Sequence, residues 1–79
     1  MFIHIGEDLN IRIKDIIAIL DKESVQNSEM LREFIDRHKQ KLMNLSKNPY
    51  KSVIVTDQCI YLSSIASGTL KRRQYKRLG

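Results

Sequence analysis

Along the chain the spacing of apolar positions changes character several times, and each change marks an element. Phe2 to Ile5 predicts a short strand, closed by Gly6 and the polar pair Glu7-Asp8 as a turn. Asn10 to Leu20 predicts a longer strand. In its first half Ile11 and Ile13 alternate with Arg12 and Lys14, the period of two that belongs to a strand with one face in the core. After Asp15 the run Ile16-Ile17-Ala18-Ile19-Leu20 places apolar groups on both faces, and a strand buried on both sides needs cover on both. One helix covers one face, so a second subunit is the simplest cover for the other.

Asp21-Lys22-Glu23-Ser24 predicts a polar connection. Asn27 or Ser28 can then cap a helix, because their side-chain oxygens accept from the orphan N–H groups of a first turn. Leu31, Phe34, Ile35 and His38 fall at i, i+3, i+4 and i+7, an amphipathic stripe. Glu29 suits the positive end of its dipole, and Lys39 and Lys41 suit the negative end. Leu42 to Leu45 predicts a further short strand, followed by a loop at Lys47-Asn48-Pro49-Tyr50. Lys51 to Thr56 and Cys59 to Ser63 flank Asp57-Gln58 at hairpin spacing, with room for a slightly longer turn. After Gly68 the segment Thr69 to Leu78 predicts a short helix that frays, with Leu70 and Leu78 on one face. The fold class is therefore α+β: a small, mostly antiparallel sheet with one amphipathic helix and a short C-terminal helix.

Composition adds a constraint on stability. With 79 residues there is one small core, and domains of this size often lean on a disulfide, a metal or self-association. The single cysteine, Cys59, excludes an internal disulfide, and no cofactor or metal motif is apparent, so self-association is the expected stabiliser. The opening MFIHIGEDLN has no basic segment followed by a long apolar one, and the longest apolar run, Ile16 to Leu20, is far short of a membrane span. A lone thiol without an export signal predicts a cytoplasmic location and no membrane partner.

Catalytic chemistry finds no constellation. Cys59 lies in an apolar hairpin strand, where a thiol is ordinarily inert packing. His4 sits between Ile3 and Ile5 and His38 ends the helical stripe; neither belongs to a zinc-like spacing. Asp15 interrupts an apolar strand and predicts a salt-bridged structural carboxylate. No phosphate-cradling glycine motif is present. The sequence predicts a binding protein rather than an enzyme.

Charge is distributed unevenly. Residues 71–79, KRRQYKRLG, carry five of the 14 basic residues and no acid, whereas residues 1–70 hold nine bases against nine acids. The chain thus divides into a neutral α+β domain, 1–70, and a basic C-terminal tail, 71–79, a pattern that predicts a polyanionic partner. Five phosphate contacts would give a salt slope of about −4.5, so a fourfold rise in salt would weaken binding by roughly 500-fold. Tyr75 in the tail can stack on a base or cover apolar surface, and Arg12 and Lys14 share one strand face that could extend the basic surface.

Several segments together resemble the RemB (YaaB) family. They are F-I-H-I-G-E-D at 2–8, R-I-K-D-I-I-A-I-L-D at 12–21, V-I-V-T-D at 53–57, I-Y-L-S-S at 60–64 and S-G-T-L-K-R-R at 67–73. The resemblance implies a relative of RemA, a DNA-binding activator of extracellular-matrix and biofilm genes that forms ring-shaped oligomers whose arginines meet the DNA backbone. Where RemA-type chains have paired arginines this chain reads Asn48-Pro49-Tyr50-Lys51, and at a further RemA arginine it has Asp15, with Lys14 beside it. The expected function is an oligomeric, ring-shaped DNA-binding regulator. Lys71, Arg72 and Arg73 are its main phosphate contacts, and Lys14, Lys47 and Lys51 are secondary ones. The alternative is a protein-interaction module that acts through a related regulator without touching DNA.

Overall fold

The computed structural model describes residues 1–46 and 49–78, with side chains described as far as Tyr75. The chain runs β1 (Phe2–Gly6), β2 (Leu9–Arg12), a 3-10 turn (Ile13–Asp15), β3 (Ile16–Asp21), α1 (Lys22–Gln26) and α2 (Glu29–Arg37). A second 3-10 turn (Lys39–Lys41), β4 (Leu42–Asn44), β5 (Ser52–Thr56), β6 (Ile60–Ser63) and α3 (Ser67–Leu78) complete it. Strands β1 and β2 form a separate hairpin, and the main sheet has the order β3-β5-β6-β4. Its β3–β5 and β5–β6 pairs are antiparallel, while β4 lies parallel to β6.

The period of two in each strand sorts the core into two clusters. Ile19, Ile54 and Tyr61 face one side of the sheet, where Ile3, Ile5, Ile11 and Ile13 of the hairpin segment and Leu70 of α3 meet them. The intervening residues Ala18, Leu20, Val53, Val55, Ile60 and Leu62 face the other side, against Val25 of α1 and Leu31 and Ile35 of α2. Both faces are therefore covered by the same chain, and the expected need for a second subunit over one face does not arise. The second cover is the α1–α2 pair.

Two readings of local structure change as a result. The expected strand from Asn10 to Leu20 is broken by the 3-10 turn at Ile13–Asp15, which redirects the chain from the hairpin into the main sheet. The expected polar connection at 21–24 instead begins a helix: the Asp21 side chain accepts from the Glu23 N–H, and Val25 is buried one turn later. Its polar sequence hides it, because one buried residue in five leaves no period to detect. Helix α2 starts where expected, with Ser28 Oγ accepting from the Leu31 N–H at 3.2 Å. The β5–β6 turn takes three residues, Asp57-Gln58-Cys59, held by the Thr56 hydroxyl, which donates to the Cys59 carbonyl at 2.7 Å and accepts from the Cys59 N–H at 2.9 Å.

The hairpin is fastened to the sheet through buried polar groups. Ser63 Oγ donates to the Ile5 carbonyl and accepts from the Ile65 N–H at 3.0 Å. Paired with it, Ser52 donates to the Ile65 carbonyl at 2.6 Å. Both serines are wholly buried, so each hydroxyl needs the backbone partner it has. Gly6, at φ 145°, closes the hairpin against the sheet; a Cβ there would stand 3.3 Å from Leu45 Cβ.

Candidate nucleic-acid interface

The basic C-terminal segment is helical, and α3 begins before it, at Ser67. Leu70 is fully buried in the core and fixes how the helix rolls. At about 100° per residue, one turn then sends neighbouring residues in different directions. Lys71 and Arg72 are exposed, whereas Arg73 is half-buried and donates from Nη1 to the His4 carbonyl at 2.8 Å. The three expected phosphate contacts are thus divided. Two are exposed cations, and the third pins α3 to β1.

Lys71 and Tyr75, four residues apart on one helical face, line a groove of about 470 Å³ with Gln74 and residues Ile16 to Ile19 of β3. Tyr75 is 76% exposed, so it covers little apolar surface. Lys14 is exposed in the 3-10 turn two residues before Ile16, at the segment that leads into this groove. Lys51 is exposed as well, but it precedes Ser52, which pairs with Asp21 at the far end of β3. Five strand steps of about 3.3 Å put that end roughly 17 Å from Ile16. Lys47 lies outside the described residues. The structure therefore puts Lys71 on this groove and Lys14 in the turn that leads into β3, with Arg72 exposed next to Lys71 on α3, and leaves Lys51 apart.

Arg12 is taken up by Asp15: Nε stands 3.3 Å from Oδ2, the one ion pair among the described residues. The Arg12 side chain is about half exposed and that of Asp15 a third, so solvent screens the pair, which is worth about 0–1 kcal/mol, and Asp15 has the structural role expected of it. Each histidine is held by a backbone carbonyl, His4 Nε2 with Glu7 O and His38 Nδ1 with Phe34 O at 2.8 Å. Burial, reinforced by a hydrogen bond with Cys59 and by the negative charge of its thiolate form, raises the Tyr61 phenol above its ordinary value of 10.0.

Two features were not legible beforehand. Ile17 was expected to be buried within an apolar run, yet it is 67% exposed. Ile16 pairs with Thr56 and Ala18 with Val55, so Ile17 is the extra residue of a β-bulge, which turns its side chain out from an edge strand. A second group of cations, Arg37, Lys39 and Lys41, is exposed where α2 ends. Its only sequence signal was the helix-dipole preference, which accounts for such residues without a ligand.

Among the described residues no group of three His, Cys, Asp or Glu side chains could hold a metal ion, and no helix is long and apolar enough to cross a membrane. The family model described as RemA-like, extracellular matrix regulatory protein A-like, matches residues 2–74. The chain is also similar to extracellular matrix regulatory protein B of Bacillus subtilis (strain 168), with 37% identity over 73 residues that cover 92% of this chain and 89% of that protein. The match spans every strand of both sheets and α3 as far as Gln74, so the chain belongs to the RemA-like family of extracellular matrix regulatory proteins.

Proposed function

We propose that this protein is an oligomeric DNA-binding regulator of extracellular-matrix genes, which grips the phosphate backbone through α3. The observation that carries this reading is the helix itself. Residues 71–78 contain no acid, and Lys71 and Arg72 are exposed, without an ion-pair partner among the described residues. Such a surface favours polyanions and discriminates little between bases, so any preference for particular sites comes from DNA shape. Lys14 extends the contact along the β3 side of α3, Arg73 supports it by holding the helix on β1, and Lys47 and Lys51 serve as secondary contacts. In a ring or another closed assembly several α3 helices act on one duplex, so contacts that are weak singly add up.

The test is the affinity of the full chain and of Lys71→Ala/Arg72→Ala for a labelled duplex at two salt concentrations. Tight, salt-sensitive binding by the first and a loss by the second is expected. Equal binding by both would remove α3 from the interface. The second reading, a protein-interaction module working through a related regulator, draws on exposed Ile17 beside the β3–α3 groove. It would be favoured if neither chain binds DNA at low salt while a protein partner survives nuclease treatment.

A further inference from the structure

The groove between β3 and α3 holds side chains that the fold does not use. Strand β3 lines it with Ile16 to Ile19 and α3 with Lys71, Gln74 and Tyr75, and no acid lines it among the described residues. Asp15, just before Ile16, stands with its carboxylate 3.3 Å from Arg12 Nε. Ile17 and Tyr75 are both exposed, so neither contributes much apolar burial where it stands. The Gln74 side chain is half-buried, yet its amide has no hydrogen-bond partner among the described residues. An aromatic ring, an aliphatic side chain, an amide and an ammonium thus line one concavity of about 470 Å³ without a structural task.

Each of these groups answers one part of a nucleotide. The face of a tyrosine ring stacks on any base, which is how single strands are held without regard to sequence. A glutamine amide carries both donors and an acceptor for a base edge. A lysine ammonium meets a phosphate as a point charge. Lys71 and Tyr75 are four residues apart on α3, so about 6 Å of helix axis separates them, comparable with the reach of a nucleotide from its phosphate to its base. The acid-free lining with its ammonium selects an anion, and the exposed ring selects one with a flat face.

We infer that the β3–α3 groove takes an unpaired nucleotide of a nucleic-acid strand, with the base on the Tyr75 ring and a phosphate on Lys71. Bases within a closed duplex are stacked on both faces, so a base reaches this ring only after it has left the stack. The site therefore favours single-stranded or opened DNA over a closed duplex, which meets only the cations of α3. The inference rests on the α3 contact in the proposed function and adds to it a ligand for the adjoining groove.

The test measures fluorescence anisotropy at low salt on a labelled oligothymidylate and on a labelled duplex of the same length, for the full-length wild type, Tyr75→Ala and Tyr75→Phe. Tyr75 is exposed, so both variants should fold, which thermal unfolding checks. Tyr75→Ala is expected to bind the single strand at least about fivefold more weakly, the lower bound for one stacked base, with its duplex affinity unchanged. Tyr75→Phe keeps the ring and should match the wild type. Equal losses on both probes, no loss on the single strand, or a Tyr75→Phe as weak as Tyr75→Ala would overturn the base site and leave the α3 contact standing; so would a wild type that binds the duplex alone. A change in the mass of Tyr75→Ala by light scattering would assign the groove to a second copy and overturn it as well. Thymidine monophosphate that displaces the strand at equal nucleotide concentration would make a free nucleotide the ligand and overturn the strand. A wild type that binds neither probe would overturn both the site and the α3 contact.

Discussion

The division of labour within the Lys71-Arg72-Arg73 run yields a prediction with separate readouts. Each phosphate neutralised on a duplex contributes about 0.9 to the slope of log affinity against log salt. Replacing exposed Lys71 and Arg72 by alanine should therefore flatten that slope by about 1.8 for each subunit in contact with the duplex. Between about 50 and 200 mM salt this changes the ratio of affinities by roughly 12-fold per contacting subunit. Arg73→Ala should behave differently, because Arg73 is half-buried and bonded to the His4 carbonyl. Its loss should leave the slope nearly intact and lower the unfolding free energy by about 1 kcal/mol, the scale of one net hydrogen bond. Fluorescence anisotropy on a labelled duplex at four salt concentrations measures the first quantity, and urea denaturation the second. If Arg73→Ala flattened the slope as much as Arg72→Ala while leaving stability unchanged, the assignment of Arg73 as the anchor of α3 would be refuted.

Three further predictions concern the fold that carries this helix. Leu70→Ala removes the buried anchor of α3 and should cost about 2–5 kcal/mol, read as a lower urea midpoint; a loss under 0.5 kcal/mol would show that α3 does not depend on it. Gly6→Ala meets both a left-handed backbone at φ 145° and Leu45 Cβ at 3.3 Å, so a loss of about 1–3 kcal/mol is expected in the same assay, and a stabilised variant would contradict the hairpin geometry. The raised Tyr61 phenol favours the neutral form in the fold, so its contribution is complete below the unfolded value of 10.0 and is lost as pH rises through the higher folded value. The stability of the wild type relative to Tyr61→Phe should accordingly shrink as the pH rises above about 10, and a constant difference would count against the shift.

The sequence by itself determined the elements whose signal is local. The Phe2–Ile5 strand, the Ser28 cap with its Leu31–Ile35 stripe and the hairpin spacing around Asp57-Gln58 each depend on neighbours a few residues away. The concentration of basic residues after Leu70 was equally plain, since charge is counted without knowing the fold. Partnership across the chain was decided only by the tertiary structure. Ile17 and Ile19 are identical as letters, yet a bulge against β5 turns the first to solvent and leaves the second in the core. Lys71, Arg72 and Arg73 are consecutive cations, yet burial of Leu70 sets the roll of α3, which sends two outward and brings the third to His4, 69 positions away. Apolar period and charge are properties of a segment, whereas exposure and hydrogen-bond partners depend on what the rest of the chain packs against it.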